Sequence, residues 1–251
     1  MRELSGGVRV LVEGDGEAVR EGTRTYRTLI SSRTGAQHLA QSVSEYSQGR
    51  SLVRVNPVGE EVLYVVSGRG VCTIGAADYE IEPDAGIFIP PRAEYSVENR
   101  GEARLVMVSV MSPEDDLAHV VTKPVQEPRP GRKLPWRVVR EQERPIEGMR
   151  NREFRVLVNQ EMGCQNMTQF VGLIPPGSDE AHAHPYELAL YILDGSGIVH
   201  TETDSSQFFP GTSIHIPAGV THYLENPLRT AIRLLGVFYP SGNPAARYHR
   251  R

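Results

Sequence analysis

The sequence predicts an all-β protein built from two tandem β-barrels, and three observations support this prediction. The 24 glycines and 18 prolines among 251 residues interrupt the chain too often for long helices. Short segments rich in Val, Ile, Leu and Tyr, such as residues 105–110 and 232–239, lie between turn-forming residues, as β-strands do. The second half of the chain also repeats the first in a constant register.

The repeat predicts the domain organisation. LYVVSGRG at 63–70 aligns with LYILDGSG at 190–197, and Pro90 aligns with Pro217 at the same offset of 127 residues (217 − 90). No helical periodicity separates the strands, so each copy is expected to be a β-sandwich or a β-barrel rather than a set of βαβ units. We therefore predict a first barrel over residues 1–121, a proline-rich linker over 122–140 and a second barrel over 141–251.

Composition and charge exclude several classes of function. The formal net charge of -4, with scattered Lys and Arg, provides no basic surface for nucleic acid. No apolar run approaches the ~18 residues of a membrane-spanning helix, so we expect a cytoplasmic protein without membrane contact. Cys72 and Cys164 are far apart in the chain and are expected to be buried thiols. The expected partners are a small-molecule substrate and further copies of the chain, paired through sheet edges as a homodimer or larger homo-oligomer.

Three histidines in the second half form a candidate metal site. His182 and His184 are separated by one residue, so on a strand both side chains point to the same face. His222 follows the turn at Pro217 and adds a third imidazole from a neighbouring strand. Three convergent nitrogen donors suit Fe, Mn, Zn, Cu or Ni and leave positions for water and substrate.

These residues make the chain resemble the cupin family, and the repeat makes it similar to bicupins. This resemblance implies two tandem cupin barrels of the jelly-roll (double-stranded β-helix) fold. The second cupin motif, Gly-x5-Pro-x-Gly-x2-His-x3-Asn, is matched at every position by Gly211, Pro217, Gly219, His222 and Asn226. The first motif is matched, with its opening spacer one residue short, by Gly177, His182, His184 and Gly195. The resemblance implies one divalent metal ion per chain, in the second barrel.

The metal-binding glutamate of the cupin motif has no match. Leu188 stands at its position, and the adjacent Glu187 has the opposite parity to His182 and His184, so a regular strand points Glu187 out of the barrel. A bulge near Pro185 would instead make Glu187 a fourth ligand, and this alternative stays open. The default prediction is a site of three histidines.

An apolar residue at this position is similar to the pattern of gentisate-type ring-cleaving dioxygenases, bicupins that hold Fe(II) with three histidines. This resemblance implies Fe(II)-dependent dioxygenase chemistry, an oxidoreductase reaction, on a small oxygenated or carboxylated metabolite. A metal-free first barrel before a metal-bearing second barrel is also similar to ureidoglycine aminohydrolase, a manganese bicupin. A Mn- or Zn-dependent hydrolase or isomerase is therefore one alternative, with Ni also suited to the site, and a non-catalytic small-molecule-binding cupin is another.

The first barrel is expected to hold no metal. At an offset of 127, Val55 and Pro57 stand opposite His182 and His184, and Tyr95 stands opposite His222. Four polar residues lie near these positions: Arg54, Glu61, Arg92 and Tyr95. Their expected role is packing and dimerisation, and the alternative is a pocket for an organic anion.

Several other side chains are candidates for the pocket wall or for contacts to the metal ligands. Apart from Glu187, these are Gln169, His200 and Tyr191. Simple packing is the alternative for Gln169 and Tyr191, and Tyr64 at the matching position of the first copy favours packing for Tyr191. Tyr186 is expected to be an ordinary loop aromatic, or else to roof the pocket. His215 has the opposite parity to Ile216 and is expected at the rim or on the surface. Surface positions are also expected for His38, His119 and His249, and Trp136 is expected to pack the linker onto a barrel.

Overall fold

The computed structural model confirms the all-β fold class. It describes residues 1–113, 119–121, 134, 137–149 and 152–244, which form strands and short 3-10 turns without an α-helix. Trp136, His249 and most of the predicted linker lie outside these residues. Within the described part of the chain, no helix is long and apolar enough to cross a membrane.

The first half of the chain contributes strands β1 to β14. Their bounds are β1 Arg2–Glu3, β2 Arg9–Leu11, β3 Val19–Glu21, β4 Arg24–Ile30, β5 Ala40–Tyr46, β6 Gly49–Arg50, β7 Val53–Val55, β8 Glu60–Ser67, β9 Gly70–Ile74, β10 Ala77–Ile81, β11 Ala85–Ile89, β12 Tyr95–Asn99, β13 Leu105–Ser112 and β14 His119–Val121. The 3-10 turns of this half are Ser5–Gly7, Glu13–Asp15 and Ser32–Thr34.

The second half contributes strands β15 to β25. Their bounds are β15 Val138–Arg140, β16 Glu147–Met149, β17 Arg152–Val158, β18 Thr168–Ile174, β19 Gly177–Ser178, β20 Glu187–Asp194, β21 Gly197–His200, β22 Ser205–Phe208, β23 Ser213–Ile216, β24 Tyr223–Asn226 and β25 Ile232–Tyr239. The 3-10 turns of this half are Glu141–Glu143 and Gln160–Met162.

Each half forms a barrel from two antiparallel sheets around an apolar core. In the first barrel the sheets have the orders β15-β11-β8-β13-β5-β4-β3 and β10-β9-β12-β7-β14, with β6 added beside β12. In the second barrel the orders are β1-β2-β23-β20-β25-β18-β17-β16 and β19-β24-β21-β22. Alternation along β8 and β20 places Leu63 and Leu190 in the respective cores, because side chains on a strand alternate between its two faces.

Strand pairing crosses the boundaries predicted from the repeat. Strand β2 lies near the start of the chain, yet it pairs with β23 of the second barrel, with Arg9 opposite His215. Strand β15 lies in the predicted linker, yet it pairs with β11 of the first barrel, with Ala85 opposite Arg140. The ranges 1–121 and 122–140 therefore do not coincide with the barrels, because each barrel gains a short strand from outside its repeat unit.

A third apolar cluster joins the two barrels. Tyr64 and Phe88 of the first barrel pack in one buried cluster with Leu157, Met162 and Tyr191 of the second. The cluster also contains Cys164, and the other cysteine, Cys72, lies in the first barrel's core; both thiols are buried and free. The barrels therefore share a continuous apolar contact.

Two buried carboxylates reinforce this contact reciprocally. Glu187 of the second barrel accepts hydrogen bonds from the backbone N–H groups of Gln37 and His38 in the first, both at 2.8 Å. Glu60 of the first barrel accepts hydrogen bonds from the corresponding groups of Gln165 and Asn166 in the second, again at 2.8 Å. Each glutamate is only 4% exposed, so its charge depends on these donors.

The charge of Glu187 makes this contact sensitive to pH. Burial by itself raises the pKa of Glu187, but the hydrogen bonds from His215 and from the two backbone N–H groups outweigh burial and hold the pKa below its ordinary value of 4.5. A carboxylate with a depressed pKa contributes stability above its unfolded-state pKa and loses this contribution as pH falls through its lower folded-state pKa.

We expect Glu187→Ala to lower the free energy of unfolding by about 3 kcal/mol at pH 7, because three donors lose a buried acceptor. The difference from the wild type should shrink as pH falls below about 4. Denaturant unfolding at a series of pH values measures both. Glu45→Ala is the control: it removes a partner of the exposed Arg104 and should cost less than about 1 kcal/mol. A loss that does not vary with pH would contradict this role of the carboxylate.

Candidate metal centre

The three predicted histidines lie together inside the second barrel. His182 and His222 face each other as an isolated antiparallel bridge, with reciprocal backbone hydrogen bonds of 3.0 and 2.9 Å. The Nε2 atoms of His182 and His184 are 3.1 Å apart, and one nitrogen from each of the three rings lies within 4.8 Å of the others. All three residues are buried. The structure thus brings three imidazoles to one point.

Backbone acceptors orient two of the rings. The Nδ1 of His182 lies 2.8 Å from the carbonyl oxygen of Glu180, and the Nδ1 of His222 lies 2.9 Å from that of Val220. A carbonyl can only accept, so each Nδ1 donates and each neutral ring keeps its lone pair on Nε2. Converging Nε2 lone pairs suit a divalent cation, and this donor set therefore fits the ion that the motif implies.

Aromatic stacking and one backbone contact hold His184. Its ring stacks on Tyr186 with centroids 4.6 Å apart, and Tyr186 stacks in turn on Phe238 at 4.1 Å. The Tyr186 hydroxyl donates to the carbonyl oxygen of Pro244 at 2.8 Å, and the N–H of Gly219 donates to the carbonyl oxygen of His184 at 2.8 Å. Tyr186 therefore lies against the site rather than in an ordinary loop position.

A mainly apolar pocket opens beside the imidazoles. It comprises about 620 Å³ of space, including its mouth, and Leu188 is among its walls at the position of the missing glutamate. The other apolar and aromatic residues of the wall are Phe154, Phe170, Leu173, Ile174, Tyr186, Leu190, Leu224, Leu234 and Pro244. A concave, mainly apolar lining with a few convergent polar groups is typical of small-molecule sites.

One charged pair borders the histidines. Arg152 lies in the pocket wall, with its Nη2 atom 3.3 Å from Oδ2 of Asp179, and the same oxygen lies 3.7 Å from Nδ1 of His182. The side chain of Asp179 is only 6% exposed. Sequence reasoning missed both residues, because Asp179 has the opposite strand parity to His182 and lies in a loop, and Arg152 lies on a distant strand.

Glu187 points away from the imidazoles, as its parity indicates. Its carboxylate binds backbone N–H groups of the first barrel and lies 2.7 Å from Nε2 of His215. His215 is fully buried, which corrects the expectation of a rim or surface position. Parity opposite to that of Ile216 does place His215 on the outer face of β23. This face is buried because Glu187, which contacts His215, binds the first barrel.

Three further candidates lie outside the pocket wall. Gln169 is buried between the barrels and donates through Nε2 to the carbonyl oxygen of Leu63 at 3.3 Å. Tyr191 belongs to the apolar cluster that joins the barrels. His200 stacks on Tyr223 at 4.4 Å, and its Nε2 lies 2.8 Å from a carboxylate oxygen of Glu225. These three side chains are not among the residues of the pocket wall, and Gln169 and Tyr191 pack between the barrels instead. His38 is exposed, as expected, and stacks on Tyr239.

The first barrel keeps the geometry of this site but not its ligands. Arg54 is paired with Tyr95 across two strands, as His182 is with His222. The carbonyl oxygen of Asn56 accepts from the N–H of Arg92 at 2.6 Å, as that of His184 accepts from Gly219. The counterparts of the first two histidines are therefore Arg54 and Asn56, which corrects the assignment of Val55 and Pro57. The first copy has one extra residue between Asn56 and Glu60. The offset between the copies is therefore 128 residues before this point (182 − 54) and 127 residues after it (187 − 60).

We expect His184→Ala to reduce bound divalent metal from about one equivalent per chain to below about 0.1, because two imidazoles hold an ion weakly. Metal analysis of the purified protein measures this. His200→Ala is the matched control, since this histidine lies in the same barrel but pairs with Glu225; it should keep its metal. Equal metal contents in the two variants would refute the assignment.

Leu188→Glu tests the position where the cupin motif has its glutamate. The introduced carboxylate would face the imidazoles, and we expect it to tighten Mn(II) binding at least about tenfold by adding an anionic ligand. Competition with a chelator measures the affinity. Leu188→Met, which keeps the wall apolar, is the control, and equal affinities in both variants would show that position 188 does not reach the ion.

Comparisons with known proteins agree with the fold and the motif. The cupin domain model matches residues 47–111 and 170–238, together more than half of the chain. Over 113 residues the chain is 30% identical to tetracenomycin polyketide synthase protein TcmJ of Streptomyces glaucescens, covering 43% of this chain and 76% of that protein.

The solved structures that are similar share the two-barrel architecture. Oxalate decarboxylase OxdC of Bacillus subtilis matches with a TM-score of 0.75 and 13% identity, over 94% of this chain and 79% of that one. Oxalate decarboxylase of Lactobacillus farciminis matches with a TM-score of 0.73 and 15% identity, over 94% and 88% of the two chains. These likenesses show the fold, and with the two matched domains they establish that the chain belongs to the cupin family as a bicupin.

Proposed function

We propose that the protein is a mononuclear metal-dependent enzyme that acts, in its second barrel, on a small oxygenated or carboxylated organic molecule. The observation that carries this proposal is the convergence of three imidazoles at the wall of an apolar pocket. The favoured ion is Fe(II) and the favoured chemistry is that of a dioxygenase.

The neutral ligand set supports this choice of substrate. Three imidazoles carry no charge, and Leu188 supplies none where the cupin motif has a carboxylate. An ion held here keeps its full double charge, which favours an anionic or chelating oxygen substrate. When bound, Fe(II) supplies electrons for the reaction of an organic substrate with dioxygen, whereas Mn(II) or Zn(II) supplies polarisation of a substrate oxygen.

The protein's own residues position the substrate and exclude water. Phe154, Phe170 and Leu234 line the wall and favour a ring or an alkyl chain over a fully polar molecule. Arg152 lies in the same wall with its guanidinium paired to Asp179, and this pair places one polar group in the otherwise mainly apolar lining. The fixed stack of Tyr186 on His184 restrains the ligand ring, so substrate binding does not have to order it.

A Mn- or Zn-dependent hydrolase or isomerase is the second candidate. The all-nitrogen site suits these ions as well, and oxalate decarboxylase of Bacillus subtilis, whose fold this chain shares, contains Mn(II) centres. At 13% identity this likeness extends only to the fold. The identity of the bound metal, and whether the protein consumes oxygen, therefore distinguish a dioxygenase from a hydrolase or isomerase.

We expect anaerobically purified protein loaded with Fe(II) to consume oxygen with at least one member of a panel of catechols, hydroxybenzoates and β-diketones. An oxygen electrode measures the rate, and His184→Ala with the same iron addition corrects for free iron. Wild-type protein that retains stoichiometric Mn or Zn and consumes no oxygen would favour the hydrolase or isomerase. Protein that retains no metal would leave a binding role and reject both enzyme proposals.

A further inference from the structure

We propose that the first barrel holds a second binding site, for the carboxylate of a small organic anion, and that Glu21 occupies this site in the present structure. The site lies around Arg54, the counterpart of His182, and therefore at the place where the second barrel gathers its imidazoles. It is independent of the proposed metal chemistry.

Two buried cations define the site. Arg24 is 3% exposed and Arg54 is 8% exposed, so water screens neither guanidinium well. Both lie over the ring of Tyr26, with their Cζ atoms 4.1 and 5.9 Å from its centroid. Two positive charges this close in a poorly solvated place need an anion between them.

Glu21 supplies that anion. Its Oε2 atom accepts from Nη1 of Arg54 at 2.9 Å and from Nη1 of Arg24 at 3.3 Å. One carboxylate oxygen thus bridges two guanidinium groups, which is the arrangement that a bound carboxylate ligand adopts between paired arginines. Glu21 therefore stands in for such a ligand.

Deeper in the barrel, Glu61 is engaged separately. It accepts from the hydroxyl of Tyr95 at 2.9 Å and from that of Ser109, and Tyr95 in turn accepts from Nε of Arg54 at 3.3 Å. With Glu21 and Glu61 both ionised, the two arginines are balanced. Without Glu21 the cluster carries one net positive charge, which matches one carboxylate group.

Glu21 is the replaceable member of the cluster. It ends β3, a three-residue edge strand that pairs only with β4, and it precedes the Gly22 turn. Its side chain is 22% exposed, whereas Glu61 is 2% exposed on a central strand. A carboxylate arriving from solvent can therefore displace Glu21 by releasing the edge strand β3 from β4, while β4, which carries Arg24, stays paired with β5.

The test is rescue of Glu21→Ala by acetate and benzoate, with chloride at equal ionic strength as the reference. The variant should lose at least about 5 °C in Tm, because the arginines lose their anion. Each carboxylate should restore the Tm in a saturable manner, and calorimetry should show wild-type protein binding the same anion at least about tenfold more weakly, since Glu21 competes. Glu21→Gln takes the place of the alanine variant if that variant does not fold.

Two controls locate the effect. Glu45→Ala, which releases the exposed Arg104, should show no carboxylate-specific rescue. Adding Arg54→Lys to the Glu21→Ala variant should lower its affinity for the carboxylate, because an ammonium group cannot reproduce the paired N–H donors of a guanidinium. Equal responses to chloride and acetate would overturn the proposal. The proposal would also be overturned if carboxylates rescued the variant but did not bind saturably to the wild type. Glu21 would then be part of a fixed structural ion pair.

Discussion

Two carboxylates buried between the barrels fix how the barrels meet. Glu60 and Glu187 begin the central strands β8 and β20, and each binds two consecutive backbone N–H groups of the opposite barrel. A buried carboxylate without donors would be strongly destabilising, so the barrels cannot slide or separate while these charges persist. The interface therefore sets where each central strand starts.

The start of β20 in turn places the site. Because side chains alternate along a strand, an outward Glu187 requires inward Tyr186 and Leu188, and both lie in the pocket wall. His184 precedes them and is held by the Tyr186 ring on one side and by the Gly219 N–H on the other. The inter-barrel contact and the imidazole cluster thus lie on opposite faces of one segment of the chain.

The sequence predicts the features that follow from local geometry and misses those that depend on the other barrel. Spacing by two residues was enough to bring His182 and His184 together, and the turn motif was enough to add His222. His215 was placed wrongly because parity says which face a residue occupies and does not say what covers that face. The short strands β2 and β15 could not be assigned to their barrels from the sequence. Their partners β23 and β11 lie beyond the repeat boundary, and the repeat pattern does not indicate such pairing.

One inward position on the central strands also distinguishes the two barrels. Glu60-Glu61 in the first barrel corresponds to Glu187-Leu188 in the second, so the outward glutamate is present in both while the inward residue differs. An inward carboxylate needs a cation, and in the first barrel the network through Tyr95 to Arg54 provides a fixed one. In the second barrel the inward position borders three neutral imidazoles that suit an exchangeable cation instead. A carboxylate there would cancel part of that ion's charge, so the apolar Leu188 leaves the charge available to a substrate.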